Sequence, residues 1–194
     1  MIIEDKKIIF CHIDKTGGSS ISKNLNHNIN IHSLNEPVQH HLKHQPMKEL
    51  MKLVNNPAEY FKFAFVRNPY DRAVSKYFHH RKVDGGTKLE KQAKILEFNE
   101  WVKKGGLHVF RPQFMYIYDG DINLCDFIGR FENLNHDYNI LKNRFNLDEL
   151  VHINHNYVKP TNKSFMDYYD SLTCNIVNHL YGKDFELFGY KKIV

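Results

Sequence analysis

A lysine, two glycines and two serines stand close together near the start of the chain, directly after an apolar run. The stretch FCHIDKTGGSS places Lys15 ahead of Gly17 and Gly18, with Ser19 and Ser20 behind them. A glycine turn that leads into a helix offers backbone N–H groups and the positive end of the helix dipole, which suit an oxyanion on phosphorus or sulfur. In the usual nucleoside-triphosphatase loop the lysine follows the glycines, so the order here is reversed.

An arginine and a serine mark a second place suited to an anion. Arg67 follows the apolar run FKFAFV, and Ser75 lies within the first turns of a helix predicted after Pro69. A guanidinium fork can take two oxygens of one phosphate. The alternative for Arg67 is a structural ion pair with Asp71 or another carboxylate. Together, the two motifs favour a ligand that carries two separate anionic groups.

Alternating strands and helices must position these motifs. The runs KIIFCHI (7–13) and YFKFAFV (60–66) are typical of buried strands that lead into a loop and then a helix, and Ser19 and Ser20 are suitable N-caps for the first helix. Further predicted elements are a helix within 45–56, a surface helix over 89–104, a short strand over 124–128, a helix over 135–147 and a C-terminal helix capped by Ser164 or Asp167. This alternation predicts an α/β fold, in which ligands bind outside the carboxyl ends of the strands.

Composition and length indicate one globular domain over residues 1–194. The chain has 194 residues, of which 42% are hydrophobic, and no apolar run reaches the length of a signal-peptide core or a membrane span. Its three cysteines are widely spaced and form no C-x-x-C pair, so neither a disulfide framework nor a zinc site is expected. We therefore expect a cytoplasmic protein that does not bind membranes.

The charge pattern favours anionic ligands without naming one. The formal net charge is +5, and 13 histidines add to it in mild acid. Acidic residues interrupt the basic ones, which argues against nucleic acid as a partner. The histidines show no H-E-x-x-H spacing, so no metal site is expected.

Several segments resemble those of the carbohydrate sulfotransferases, in the same order. CHIDKTGGSSI (11–21) is similar to their 5′-phosphosulfate-binding loop, commonly H-I-P-K-T-G-G-T-S, although Asp14 replaces the usual proline. FKFAFVRNPYDRAVSKY (61–77) is similar to their 3′-phosphate-binding segment. RPQFMYI (111–117), FIGRFENL (127–134), HINHN (152–156) and residues 167–190 resemble later segments of the same family, so the likeness covers almost the whole chain.

The resemblance implies transfer of a sulfuryl group from 3′-phosphoadenosine 5′-phosphosulfate (PAPS) to a hydroxyl or amine, usually on a sugar or glycan, without a metal. It also implies a three-layer fold resembling P-loop kinases, with a central, mostly parallel sheet flanked by helices. The implied donor-binding residues are Lys15, Thr16, Gly17, Gly18, Ser19 and Ser20 for the 5′-phosphosulfate, Arg67 and Ser75 for the 3′-phosphate, and Lys163 with Lys159 in a C-terminal loop that closes over the nucleotide.

Many members of this family have a histidine just before the helix that leads into the second strand, and the resemblance makes it the base for the acceptor. His44 in KHQPMKEL fits best, with His41 and His40 as alternatives. Glu132 is a further base candidate, for which a structural pairing with Arg130 is the other interpretation.

Two other classes of function stay open at this point. One is a nucleotide kinase or triphosphatase of related fold, although its G-x-x-x-x-G-K-[ST] loop is missing. The other is a non-catalytic protein that binds glycans or other polyanions through its basic surface.

Overall fold

The computed structural model describes residues 1–27, 44–83, 85–151 and 163–193, with the backbone alone for residues 26 and 27. The chain divides into two compact units. The first comprises Met1–Arg67 and Gln113–Ile153, and the second comprises Asn68–Pro112 and Asn154–Val194. That the chain forms a single domain stays a prediction.

A mostly parallel sheet lies at the centre of the first unit. The strands of the described residues are β1 Ile2–Ile3, β2 Ile8–Cys11, β3 Phe61–Val66, β4 Tyr118–Asp119, β5 Ile122–Asn123 and β6 Phe127–Arg130. The sheet has the order β1-β2-β3-β6, in which β1 is antiparallel to β2 and the other neighbours are parallel; β4 and β5 form a separate hairpin. The predicted strands β2 and β3 are confirmed, whereas the third lies a few residues later than expected, at β6.

Helices cover both faces of this sheet. These helices are α1 Gly18–His27, α2 Met47–Met51, α6 Phe114–Ile117 and α7 Leu134–Phe145. The helices of the second unit are α3 Pro69–Lys82, α4 Lys88–Ile95, α5 Phe98–Lys103, α8 Ser171–Leu180 and α9 Gly182–Phe188. Phe10 of β2 and Phe63 of β3 pack with α1 and α7 in one core. On the opposite face, Cys11 lies against the carbonyl groups of Gln45 and of Tyr116 in α6. The predicted mixed α/β architecture, with helices flanking a mostly parallel sheet, is thus confirmed.

The second unit is helical and has its own core. Tyr70 and Tyr77 of α3 pack there with Trp101 of α5 and Val177 of α8. The start of α3 follows from its sequence: Pro69 occupies the first helical turn, and the Asn68 side chain accepts a hydrogen bond from the Tyr70 amide at 3.0 Å. The helix predicted after Pro69 is confirmed.

Two predicted helices are wrong in detail. The single surface helix over 89–104 is two helices, α4 and α5, because Leu96 is extended and its carbonyl accepts a hydrogen bond from the Tyr77 hydroxyl at 2.8 Å. The break brings Phe98 and Trp101 into the core, where Trp101 is fully buried. At the C-terminus, Ser164 caps only the 3₁₀ turn Phe165–Tyr168, and Asp170 caps α8.

Candidate active site

The loop between β2 and α1 is closed by its own hydrogen bonds. The Thr16 hydroxyl donates to the Ile13 carbonyl at 2.9 Å, and the Ser20 amide donates to the Gly17 carbonyl at 3.1 Å. Toward a ligand, Thr16 therefore offers its backbone N–H, since its hydroxyl hydrogen is used within the loop. The helix begins at Gly18, so the two serines expected as caps lie in its first turn. Of the residues predicted to bind the donor here, Lys15, Gly17 and Ser19 are half-buried and Thr16, Gly18 and Ser20 are buried.

The backbone of this loop alternates between positive and negative φ. Lys15 has φ +68° and Gly17 has φ +83°, whereas Thr16 between them does not have a positive φ. Such alternation is typical of a nest, the backbone arrangement in which successive N–H groups turn toward one side and can bind an anion. No acidic side chain occupies the first turn of α1, so no carboxylate of that turn offsets the positive end of the helix dipole, although Asp14 lies half-buried earlier in the loop.

Close packing fixes the start of α1 against the preceding strand. A Cβ added to Gly18 would lie 2.1 Å from Cδ2 of His12, so only glycine fits beside this ring. The His12 ring stacks on Phe10 with 5.7 Å between centroids, and it is only 6% exposed. His12 therefore positions the loop by packing.

Arg67 lies at the carboxyl end of β3 and reaches the same loop. Its Nη1 donates to the Lys15 carbonyl at 3.1 Å, and its guanidinium carbon lies 4.0 Å from the centroid of the Phe131 ring. The main-chain groups of Arg67 are held by the side chain of Gln113, a residue to which the sequence assigned no role. The structure thus brings Lys15 and Arg67 together, although they are far apart in the sequence.

His44 lies beside the same strand end. Its Nδ1 is 2.9 Å from the His12 carbonyl oxygen, and the two imidazole rings meet edge-on with 4.6 Å between centroids. Its φ is +67°, a conformation that residues other than glycine seldom adopt and that often marks functional sites. The alternatives His40 and His41 lie outside the described residues, and Glu132 is exposed in the 3₁₀ turn Phe131–Asn133.

The remaining predicted donor residues belong to the second unit. Ser75 is half-buried on α3, and Lys163 is exposed, with its Nζ 5.7 Å from the centroid of the Tyr168 ring. Lys159 lies outside the described residues. Lys163 borders a groove of about 480 Å³ within this unit, whose other lining residues are Tyr77, Phe78, Arg81, Lys82, Glu97 and Tyr168.

The cysteine at the end of β2 does not supply a nucleophile. Burial raises the pKa of the Cys11 thiol to about 12, so the thiol stays protonated near neutral pH. Within ranges 1–27, 44–83, 85–151 and 163–193, no group of three or more histidine, cysteine or acidic side chains could hold a metal ion. In the same ranges, every helix is too short or too polar to cross a bilayer.

Comparison with known proteins assigns the chain to a family. The sequence model of the sulfotransferase family matches residues 1–191, which is nearly the full length. No curated protein shows a significant sequence match. Sulfuryl transfer to an acceptor is accordingly the general activity, and the family generally uses PAPS as its donor. The glycine loop after β2, the arginine that contacts it and the match to the family model agree, and the chain belongs to the sulfotransferase family.

Proposed function

We propose that this protein transfers a sulfuryl group from PAPS to a hydroxyl or amine of a carbohydrate acceptor, on a fold related to that of P-loop kinases. The observation that carries the proposal is the hydrogen bond from Arg67 Nη1 to the Lys15 carbonyl, at 3.1 Å. It joins the two segments that resemble the 5′-phosphosulfate and 3′-phosphate motifs of the family. A ligand with both groups can therefore meet both segments at once.

In this proposal the loop binds the 5′-phosphosulfate through the nest and the Lys15 ammonium group. Arg67 and Ser75 bind the 3′-phosphate, as the sequence motif implies, and Lys163 covers the nucleotide. When the bond between sulfur and the bridging oxygen breaks, negative charge grows on the departing phosphate. A fixed cation and preorganised N–H groups stabilise that charge more in the transition state than in the ground state, which accelerates the reaction.

His44 acts as the base in this proposal. A carbonyl oxygen can only accept a hydrogen bond, so the contact with the His12 carbonyl requires a proton on Nδ1 of His44. Nε2 of the neutral ring then carries the lone pair. As the acceptor oxygen bonds to sulfur, Nε2 takes the hydroxyl proton, and the phosphate of the donor leaves with the electrons of the broken S–O bond.

We propose that no metal takes part in the transfer, because a sulfuryl group carries less negative charge than a phosphoryl group and needs less neutralisation. The proposed acceptor is a sugar or glycan. The family resemblance implies this class, and the net charge of +5 suits acceptors that are anionic.

The first test measures binding of 3′,5′-adenosine diphosphate, the desulfated donor, by calorimetry. Replacing Lys15 or Arg67 with alanine removes a charged hydrogen-bond donor, so each variant should bind about ten- to a hundredfold more weakly. Lys23→Ala on the exposed part of α1 is the control for the first variant. Arg144→Ala is the control for the second, because Arg144 also lies over a ring, at 4.3 Å from the centroid of Phe61. Unchanged affinity in both site variants would contradict the proposal.

The second test follows labelled sulfate from PAPS to a panel of glycans and small alcohols. Labelled product is expected with a saccharide, and His44→Ala should lower the rate about 10²–10⁴-fold without weakening donor binding to the same extent. Magnesium-dependent ATP binding without sulfate transfer would favour a kinase or triphosphatase. Salt-sensitive polyanion binding without transfer would favour a non-catalytic binder.

A further inference from the structure

The side-chain amide of Gln113 holds both main-chain polar groups of Arg67. Its Oε1 accepts a hydrogen bond from the Arg67 amide at 2.8 Å, and its Nε2 donates to the Arg67 carbonyl at 2.8 Å. Gln113 is fully buried, directly before α6. A carboxamide carries a donor and an acceptor on one rigid plane, so it can pair with one residue as a neighbouring strand does.

Arg67 needs such a partner because it lies just beyond the sheet. The pairing of β3 with β2 ends at Ala64, and its pairing with β6 ends at Val66. The main-chain groups of a half-buried residue must find partners, and here a side chain supplies them. Gln113 thus fixes the main chain one residue beyond the end of β3. That residue is Arg67, whose side chain reaches the anion-binding loop.

The position of this backbone decides where the guanidinium lies. The guanidinium stacks on Phe131 and donates to the Lys15 carbonyl, so it touches the loop at a residue in the left-handed conformation. Binding groups must be held within about 0.5 Å of their working geometry to keep their effect. A shift of the Arg67 backbone would therefore move the guanidinium and loosen the loop.

We propose that Gln113 is a positioning residue for donor binding, which acts by fixing the main chain of Arg67 and contacts no substrate itself. This inference rests on the proposed function. Replacing Gln113 with methionine keeps the length of the side chain and removes both hydrogen bonds. We expect Gln113→Met to bind 3′,5′-adenosine diphosphate at least tenfold more weakly than the unmodified chain.

A matched control separates positioning from general loss of stability. Asn24 is also buried, and its amide also makes two main-chain bonds, donating to the Glu149 carbonyl and accepting from the Val151 amide. Asn24→Leu should therefore lower the melting temperature as much as Gln113→Met does. Its affinity for 3′,5′-adenosine diphosphate should stay within about twofold of the unmodified chain once both are folded.

A second variant reports on the hydrogen bonds themselves. In Gln113→Glu, the new carboxylate faces the Arg67 carbonyl without a proton, and burial raises the pKa of such a group. As the pH falls from about 9 toward 5, the range in which a buried glutamate takes up its proton, protonation restores the missing donor, so the affinity of this variant relative to the unmodified chain should rise. This comparison is made within one folded variant. It therefore tests the role of the two Gln113 hydrogen bonds even if the methionine variant does not fold.

The outcomes are distinct. If the unmodified chain does not bind 3′,5′-adenosine diphosphate, the proposed function fails. If it binds and Arg67→Ala weakens binding, but Gln113→Met binds as the unmodified chain does, the inference about Gln113 is wrong. It is also wrong if Gln113→Met loses no more affinity than Asn24→Leu, or if the relative affinity of Gln113→Glu does not change with pH.

Discussion

Replacing Gly18 with alanine should strain the start of α1 against a buried ring. The added methyl carbon would lie 2.1 Å from Cδ2 and 2.3 Å from Nε2 of His12, far inside van der Waals contact. The ring has little room to move, because it stacks on Phe10 and meets the His44 ring at 4.6 Å between centroids. Overpacking of this kind costs about 1–3 kcal/mol. For a chain of this size, each kcal/mol lowers the melting temperature by about 2–4 °C.

The assay is thermal and denaturant unfolding of Gly18→Ala beside a matched control. Gly182 is also the first residue of a helix, α9, and a Cβ there would meet only Lys192 Nζ, at 3.8 Å. Gly182→Ala should therefore leave stability unchanged or raise it by about 0.4–1 kcal/mol, since alanine restricts the unfolded chain. The difference between the two variants measures the clash with His12.

A double-mutant cycle identifies the ring as the source of that cost. His12→Ala removes the ring, so the combination with Gly18→Ala should be more stable than the sum of the single changes predicts, by about 1 kcal/mol or more. Additive effects would show that the methyl group strains something else. Equal stability of Gly18→Ala and Gly182→Ala would refute the reasoning entirely.

Two further predictions concern charge and burial. Hydrogen bonds from Lys103 and from the Thr173 amide lower the pKa of Asp170 from 3.8 to about 2. The ionised carboxylate therefore stabilises the fold above about pH 4, and this contribution is lost as the pH falls from about 4 to 2. The unfolding free energy of Asp170→Asn should therefore fall less than that of the unmodified chain between about pH 4 and 2; parallel curves would contradict this. All three cysteines are buried, and burial raises the pKa of the Cys11 thiol to about 12, so a thiol reagent at about pH 8 should label them only after unfolding. Rapid labelling of the folded chain would show that the thiols are open to solvent.

Local sequence patterns predicted the elements that carry the site. The run at 60–66 is rich in aromatic residues and ends in the β-branched Val66. Asn68 and Pro69 then supply a cap and a helix start, so β3 and α3 follow from neighbouring residues alone. The prediction of a single helix over 89–104 was wrong because the break at Leu96 depends on the Tyr77 hydroxyl. This hydroxyl belongs to another helix, α3, and donates a hydrogen bond to the Leu96 carbonyl. A periodicity within one segment contains no information about such a partner.

The contacts that shape the site are long-range for the same reason. Gln113 and Arg67 are separated by 46 positions, and His44 and His12 by 32. Each pair joins a residue that follows a strand to one that precedes a helix: His12 and Arg67 follow β2 and β3, whereas His44 and Gln113 precede α2 and α6. Residue types and spacing predict that Lys15 and Arg67 bind anions. The contact by which Gln113 holds the main chain of Arg67 is visible only in the folded structure.

The reversed order of lysine and glycine in the loop has a structural reason. A left-handed conformation at a residue with a Cβ costs about 1–2 kcal/mol, so a glycine at position 15 would be the cheaper choice. Lysine adopts φ +68° there, and the bond from Arg67 to its carbonyl holds that conformation. With φ positive again at Gly17, the nest needs only one glycine at its second turn. Position 15 can then carry a lysine, whose ammonium group joins the backbone N–H groups of the loop in the proposed anion site. The hydrogen bond from Arg67 to the Lys15 carbonyl thus joins the two motifs. It also offsets the conformational strain at Lys15, the residue proposed to meet the leaving group.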